Sequence, residues 1–125
     1  MANKKVIIVE DDFIIQMFLE ELLLSNGCDL VGIASTGDEA LEMISENQLD
    51  LIFMDIGISG DKNGIEVASM INESSKTPIV FLTGNSDKLT LEEANATGPL
   101  HIMYKPIDEI SFLAQFNIVC DKLNS

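Results

Sequence analysis

Leu49-Asp50-Leu51-Ile52-Phe53-Met54-Asp55 is the stretch on which the fold turns. From 49 to 54 it is almost wholly apolar and lacks the alternation of a half-wetted strand, so it reads as a strand covered on both faces. Pro78–Leu82 reads the same way. Further strand-like runs occur at Lys5–Val9, Asp29–Ala34 and Leu100–Tyr104. Between and after them lie segments with helical spacing at Asp12–Asn26, Gly37–Asn47, Asn63–Ser74, Lys88–Thr97 and Asp108–Leu123. In the first of these, Ile15, Phe18, Leu19, Leu22 and Leu23 share one face, and Gly27 follows as a stop. In the last, Phe112, Phe116, Val119, Cys120 and Leu123 form the matching stripe.

Five strand–helix units in strict alternation predict an α/β fold: a doubly wound, five-stranded parallel sheet with five helices on its two faces. The flavodoxin-like order 2-1-3-4-5 is expected, and in it the chain reverses direction between strands 1 and 3. A ligand belongs just beyond the C-terminal ends of those two strands. The length, 125 residues, suits a single domain spanning 1–125. With 46% of its residues hydrophobic, the chain is no disordered tail. Its apolar blocks are too short to cross a bilayer, and Met1-Ala2-Asn3-Lys4-Lys5 lacks a signal-peptide pattern, so a cytoplasmic protein without membrane contact is expected. Charge is lopsided, 21 acidic residues against 7 Lys and no Arg, for a formal −14. Such a surface repels nucleic acid and suits a cation or a basic partner. Cys28 and Cys120 belong to no CxxC pair, and His101 is the one histidine, so the cysteines read as small buried thiols rather than zinc ligands.

The predicted crevice collects a particular set of residues. Strand 1 ends in Glu10-Asp11-Asp12, strand 3 in Asp55, strand 4 in Thr83-Gly84 and strand 5 in Lys105-Pro106. Each has an ordinary explanation: acidic residues cap a helix, Asp55 and Thr83-Gly84 punctuate loops, and Lys105 is solvated before a proline. The combination is harder to dismiss. Asp11 and Asp55 are 44 positions apart (55 − 11), yet the expected fold sets them on neighbouring strands. Like charges crowded there repel unless a cation joins them, and a small all-oxygen ligand set favours Mg²⁺. Lys105 and Thr83 would complete a site for phosphoryl oxygens.

In this order and on these strand ends, Glu10-Asp11, Asp55, Thr83 and Lys105-Pro106 resemble the receiver domains of two-component response regulators. Phe53-Met54-Asp55-Ile56, then Gly60 and Gly64-Ile65-Glu66, resemble that family's phosphoacceptor strand and following loop, and the resemblance spans the chain. It implies that Asp55 is the phosphoacceptor. It implies that Asp11, Asp55 and the Gly57 carbonyl ligate Mg²⁺ directly, with Glu10 acting through a metal-bound water. Lys105 would pair with a phosphoryl oxygen and Thr83 would swing in to hydrogen-bond it, while Asp12 is left as a helix cap. The donor would be a sensor histidine kinase or a histidine phosphotransfer protein. The phosphorylated domain would then act on a downstream protein or relay the group onward.

The physics suits those roles, because a metal and an ammonium offset the repulsion between a carboxylate nucleophile and a phosphate. The chemistry would be performed on the protein itself, so it is not an ordinary enzyme. With no segment after the fifth helix, a stand-alone, chemotaxis-regulator-like receiver is expected. One departure stands out: three residues before Lys105, where receivers usually carry an aromatic side chain that moves with Thr83, this chain has Ile102, which is stiff at χ1. The alternative, a Mg²⁺-dependent phosphotransferase or phosphatase of small substrates, needs an Asp-x-Asp motif, and Asp55-Ile56-Gly57 lacks the second Asp. A flavin or nucleotide module of the same fold needs a Gly-, Ser- or Thr-rich loop after strand 1, where Glu10-Asp11-Asp12 would repel phosphate. Phe13, Met17 and Leu24, flanked by Ile14, fall outside the core stripe of the first helix and offer a docking face beside the acidic site. A similar surplus, Ile110 to Ile118, lies on the last helix.

Overall fold

The apolar run Leu51–Met54 has no wet side, and the central strand β3 (Leu51–Asp55) is buried along its whole length, Asp55 included. The structure, a computed structural model, describes residues 3–84 and 87–124; residues 1, 2, 85, 86 and 125 of the expected domain lie outside the described part. In chain order the elements are β1 (Lys5–Val9), α1 (Phe13–Ser25), β2 (Asp29–Ala34), α2 (Gly37–Glu46), β3, α3 (Gly64–Ser74), β4 (Ile79–Thr83), α4 (Lys88–Ala96), β5 (His101–Tyr104) and α5 (Glu109–Leu123). The sheet is parallel with strand order 2-1-3-4-5, as the alternation predicts.

Period-two alternation along each strand divides the core. Val6, Ile8, Leu51, Phe53, Val80 and Leu82 face α1 and α5, where Leu19, Leu23, Phe112 and Phe116 meet them. Phe53, Phe112 and Phe116 form a ring cluster with centroids 5.5 to 6.4 Å apart. Ile7, Val9, Ile52, Met54 and Phe81 face the other way, onto Ala40 of α2, Val67, Ala68 and Ile71 of α3, and Ala94 of α4. Each of the larger side chains among them contributes roughly 1.5–3 kcal/mol by leaving water, so this two-sided core fixes the sheet and the points where its strands end.

Two strand ends differ usefully from the sequence expectation. β3 and β4 each run one residue further, to Asp55 and Thr83, because parallel pairing continues through Asp55↔Leu82 and Thr83↔Tyr104. The candidate site residues are thus the last members of strands rather than loop residues. Edge strand β2 carries an irregularity: Val6 pairs with Leu30 but Ile7 with Gly32, which leaves Val31 unpaired. Such a bulge twists an edge and disfavours further strand pairing.

Helix starts are set locally. Asp12 is the N-cap of α1, accepting from the Ile14 and Ile15 amides at 2.9 and 3.2 Å, as expected for the residue just past the acidic pair. Thr36 with Glu39 and Asn63 with Glu66 form capping boxes at α2 and α3.

Candidate functional site

The strands deliver four charged side chains to one point beyond the β1 and β3 ends. Glu10 is wholly buried. Its Oε1 accepts from Lys105 Nζ at 2.9 Å and its Oε2 from the Asp12 amide at 3.1 Å. Asp55, 5% exposed, lies 3.2 Å through Oδ1 from the same Nζ, and that oxygen also accepts from the Gly57 amide at 3.2 Å. Asp11 sits at the exposed rim, its Oδ2 accepting a hydrogen bond from the Ser59 hydroxyl. Glu10, Asp11 and Asp55 each place a carboxylate oxygen within 4.8 Å of the other two. Thr83 is buried at the end of β4, and its carbonyl accepts the Lys105 amide at 2.8 Å, so the lysine leaves the sheet beside it.

The backbone fits closely around the end of β3. Ile56 donates its amide to the Leu82 carbonyl at 3.0 Å, and the chain then turns so that the Gly64 amide reaches the Ile56 carbonyl at 2.8 Å. A Cβ on Gly64 would stand 2.3 Å from the Asp55 carbonyl oxygen, so α3 approaches β3 this closely only with glycine there. The Lys105–Pro106 peptide is cis.

Electrostatics follow from the crowding. Burial pushes the Glu10 carboxyl up, and Lys105 opposes that push only in part. Asp11 is held below the usual carboxylate range, first of all by the Ser59 hydrogen bond. Burial would lower Lys105, but its contacts with Glu10 and Asp55 outweigh this and raise it, so the ammonium stays charged. Three carboxylates against one ammonium leave an excess of negative charge in a partly dry cleft. An all-oxygen donor set of that kind suits a hard divalent cation such as Mg²⁺.

Of the residues singled out from sequence, Glu10, Asp11, Asp55 and Lys105 are brought together, Thr83 stands at the adjacent strand end, and Gly57 lies two residues past Asp55 with its amide on the Asp55 carboxylate. Ser59 went unrecognised, since nothing in a loop serine four residues after Asp55 announces a bond to a side chain 48 positions earlier. Gln16 was also missed; its amide donates to the Glu10 carbonyl and to Ser35 Oγ at 3.3 Å, tying α1 to the ends of β1 and β2. Cys28 is buried and Cys120 half-buried, and burial pushes the Cys28 thiol up to about 11, far from a reactive thiolate. Half-buried His101 contacts Gln115 and Lys122 at the opposite end of β5, away from the acidic cleft.

Against known proteins, the family model described as response regulator receiver domain matches residues 6–117. The transcriptional regulatory protein PdtaR of Mycobacterium tuberculosis is 36% identical over 103 residues, covering 82% of this chain and 50% of that protein. YrkP of Bacillus subtilis is 37% identical over 105 residues, covering 84% of this chain and 44% of that one. This chain therefore spans about half the length of these relatives. Among solved structures, the signal receiver domain of a modulated diguanylate cyclase from Desulfovibrio desulfuricans superposes with a TM-score of 0.87 at 26% identity, over 98% of each chain. The chemotaxis response regulator CheY4 of Vibrio cholerae does so with a TM-score of 0.85 at 25% identity, over 94% of this chain and 99% of that one. Nothing in these likenesses supports a phosphotransferase or phosphatase of small substrates, and Gly57 stands where that chemistry needs its second Asp.

Proposed function

The chain belongs to the receiver domains of response regulators, and from that premise we propose that it is switched by a phosphoryl group accepted on Asp55 from a histidine kinase or histidine phosphotransfer protein. The observation that carries this reading is Lys105 Nζ standing between Glu10 at 2.9 Å and Asp55 at 3.2 Å, with Asp11 completing the acidic cleft. Asp55 Oδ attacks phosphorus, an O–P bond forms as the donor's N–P bond breaks, and the electron pair leaves with the imidazole. Gly57 holds one Asp55 oxygen through its amide, so the carboxylate is oriented before the donor arrives. Lys105 balances charge on the transferring group, and the Thr83 hydroxyl is assigned to bind a phosphoryl oxygen once it is on Asp55. Mg²⁺ held by Asp11, Asp55 and the Gly57 carbonyl, with Glu10 behind it, would supply further positive charge against the incoming phosphate.

We read residues 1–125 as one cytoplasmic domain that performs its chemistry on itself. Its signal passes to a downstream protein, or the phosphoryl group is relayed onward. No described helix is long and apolar enough to cross a membrane. The formal charge of −14 argues against nucleic acid as a direct partner. For the donor, the first turns of α1 offer Phe13, Ile14 and Met17, exposed by 69%, 76% and 53%. Beside them an apolar groove of about 450 Å³ runs between α1 and the loop before α5, lined by Ile14, Ile15, Phe18, Lys105, Pro106 and Ile107. A docked helix filling that groove would bring its histidine to Asp55.

Intact-mass measurement after incubation with a small phosphodonor and Mg²⁺ tests the central claim. The wild type should gain one phosphoryl unit and Asp55→Asn none; an equal gain in the variant would move the acceptor elsewhere.

A further inference from the structure

Asp11 is the least protected member of the acidic cleft. Glu10 and Asp55 are buried and both contact Lys105, whereas Asp11 is exposed, and no ion pair is seen for it among the described residues. Repulsion from two carboxylates within 4.8 Å drives its side chain outward, toward water that would solvate it freely. What opposes this is the Ser59 hydroxyl, which donates to Asp11 Oδ2.

Ser59 can resist that push because its own backbone is fixed. It forms a parallel bridge with Thr36, the N-cap of α2. Three residues further on, Lys62 reaches across to Asp38 of α2 at 3.0 Å. Close packing of Gly37 on Val67 holds the start of α2 against α3. The loop carrying both Gly57 and Ser59 is thus moored to the turn before α2, on the far side from Lys105. Moorings of this kind involve backbone or other side chains, so removing the Ser59 hydroxyl leaves them in place.

From these contacts we infer that Ser59 is a positioning residue for the divalent cation, holding the Asp11 carboxylate in the cleft against its acidic neighbours. The inference rests on the reading of Glu10, Asp11 and Asp55 as a Mg²⁺ site. Without the hydroxyl, Asp11 spends most of its time rotated into solvent, and the ion must draw it back against that preference. A lost hydrogen bond to a charged group at an exposed rim corresponds to a few-fold change in binding. Ser59→Ala should therefore bind Mg²⁺ about three- to tenfold more weakly.

The test is a Mg²⁺ titration followed by amide chemical shifts on the wild type, Ser59→Ala, Ser59→Thr and Asp11→Ala, all unphosphorylated. Ser59→Ala is expected to show the stated loss, and Ser59→Thr, which restores a hydroxyl, to return close to wild type. Asp11→Ala should lose saturable binding at the cleft. Ser59→Ala binding as tightly as wild type, or more tightly, overturns the inference while leaving the metal site standing. Threonine and alanine variants equally weakened would overturn it too, since the hydroxyl would then not be the agent. Wild-type affinity in Asp11→Ala would instead remove the metal reading on which the inference rests.

Discussion

Replacing Asp55 by Asn should make the metal-free protein more stable, although it removes the side chain proposed as the phosphoacceptor. The magnitude follows from the distances. With an effective dielectric near 20, repulsion between Asp55 and Glu10 within 4.8 Å is about 3.5 kcal/mol, and repulsion from rim-exposed, better-screened Asp11 about 2 kcal/mol. Attraction to Lys105 at 3.2 Å is about 5 kcal/mol on the same scale. The Coulomb terms nearly cancel, which leaves the cost of holding a carboxylate at 5% exposure with, among the described residues, a single backbone donor beside the lysine. Asparagine keeps an oxygen for the Gly57 amide, sheds that desolvation cost and leaves Lys105 paired with Glu10.

A gain of about 1–2 kcal/mol follows, or about 4–8 °C in Tm for a domain of this size. The assay is thermal unfolding by circular dichroism at neutral pH with a chelator present, then with Mg²⁺. At ten times its Kd the ion adds about 1.4 kcal/mol to the wild type, so Mg²⁺ should narrow or close the gap between the two proteins. If Asp55→Asn melts several degrees below wild type in chelator, Asp55 is a net structural anchor and the reasoning fails. Strain of the expected sign is what a site kept for function at the expense of stability would show.

Three other outcomes are expected. Gly64→Ala places a methyl 2.3 Å from the Asp55 carbonyl oxygen, so it should cost about 1–3 kcal/mol by thermal unfolding and slow uptake from a small phosphodonor; an unchanged Tm would show that α3 is free to move off β3. Met17→Asp, which charges the exposed apolar face of α1 beside the groove, should sharply slow transfer from a histidine-phosphorylated partner and leave small-donor phosphorylation nearly unchanged; equal slowing with both would mean damage to the site itself. With its thiol up at about 11, Cys28 should be about one part in a thousand thiolate at pH 8, so the native protein should resist alkylation there until unfolded; rapid labelling would show that the β2 edge opens.

The sheet order and the four converging charged residues were legible because they depend on short-range pattern. An uninterrupted apolar run marks a two-sided strand, strict alternation forces parallel crossovers, and topology then dictates which strand ends meet. Ser59 was not legible, because its role depends on how the loop after β3 lies across the start of α2. That placement rests on contacts such as Thr36 with Ser59 and Lys62 with Asp38, between segments far apart in sequence. Gly64 was visible only as part of a motif; the reason for glycine is the close approach of α3 to the Asp55 backbone. The one-residue extension of β3 and β4 escaped for a similar cause, since polar Asp55 and Thr83 look like loop residues until strand pairing is known.

The departure at Ile102 takes on meaning only with the strand in place. Side chains alternate along β5, so Ile102 and Tyr104 share the face toward α4, while Met103 is buried on the opposite side among the residues facing α1 and α5. Ile102 is half-buried against the cluster that contains Phe81 and Ala94, and branching at Cβ confines it to few rotamers. It therefore serves as a fixed base to the α4–β5 face. Tyr104, 53% exposed, is paired with Thr83 across the sheet, at the end of β5 nearest the acidic cleft. The aromatic ring lies two residues beyond the usual position, in solvent rather than against the core. Should Asp55 be phosphorylated as proposed, the response on this face is expected to start from Thr83 at the end of β4, over a base that Ile102 holds fixed.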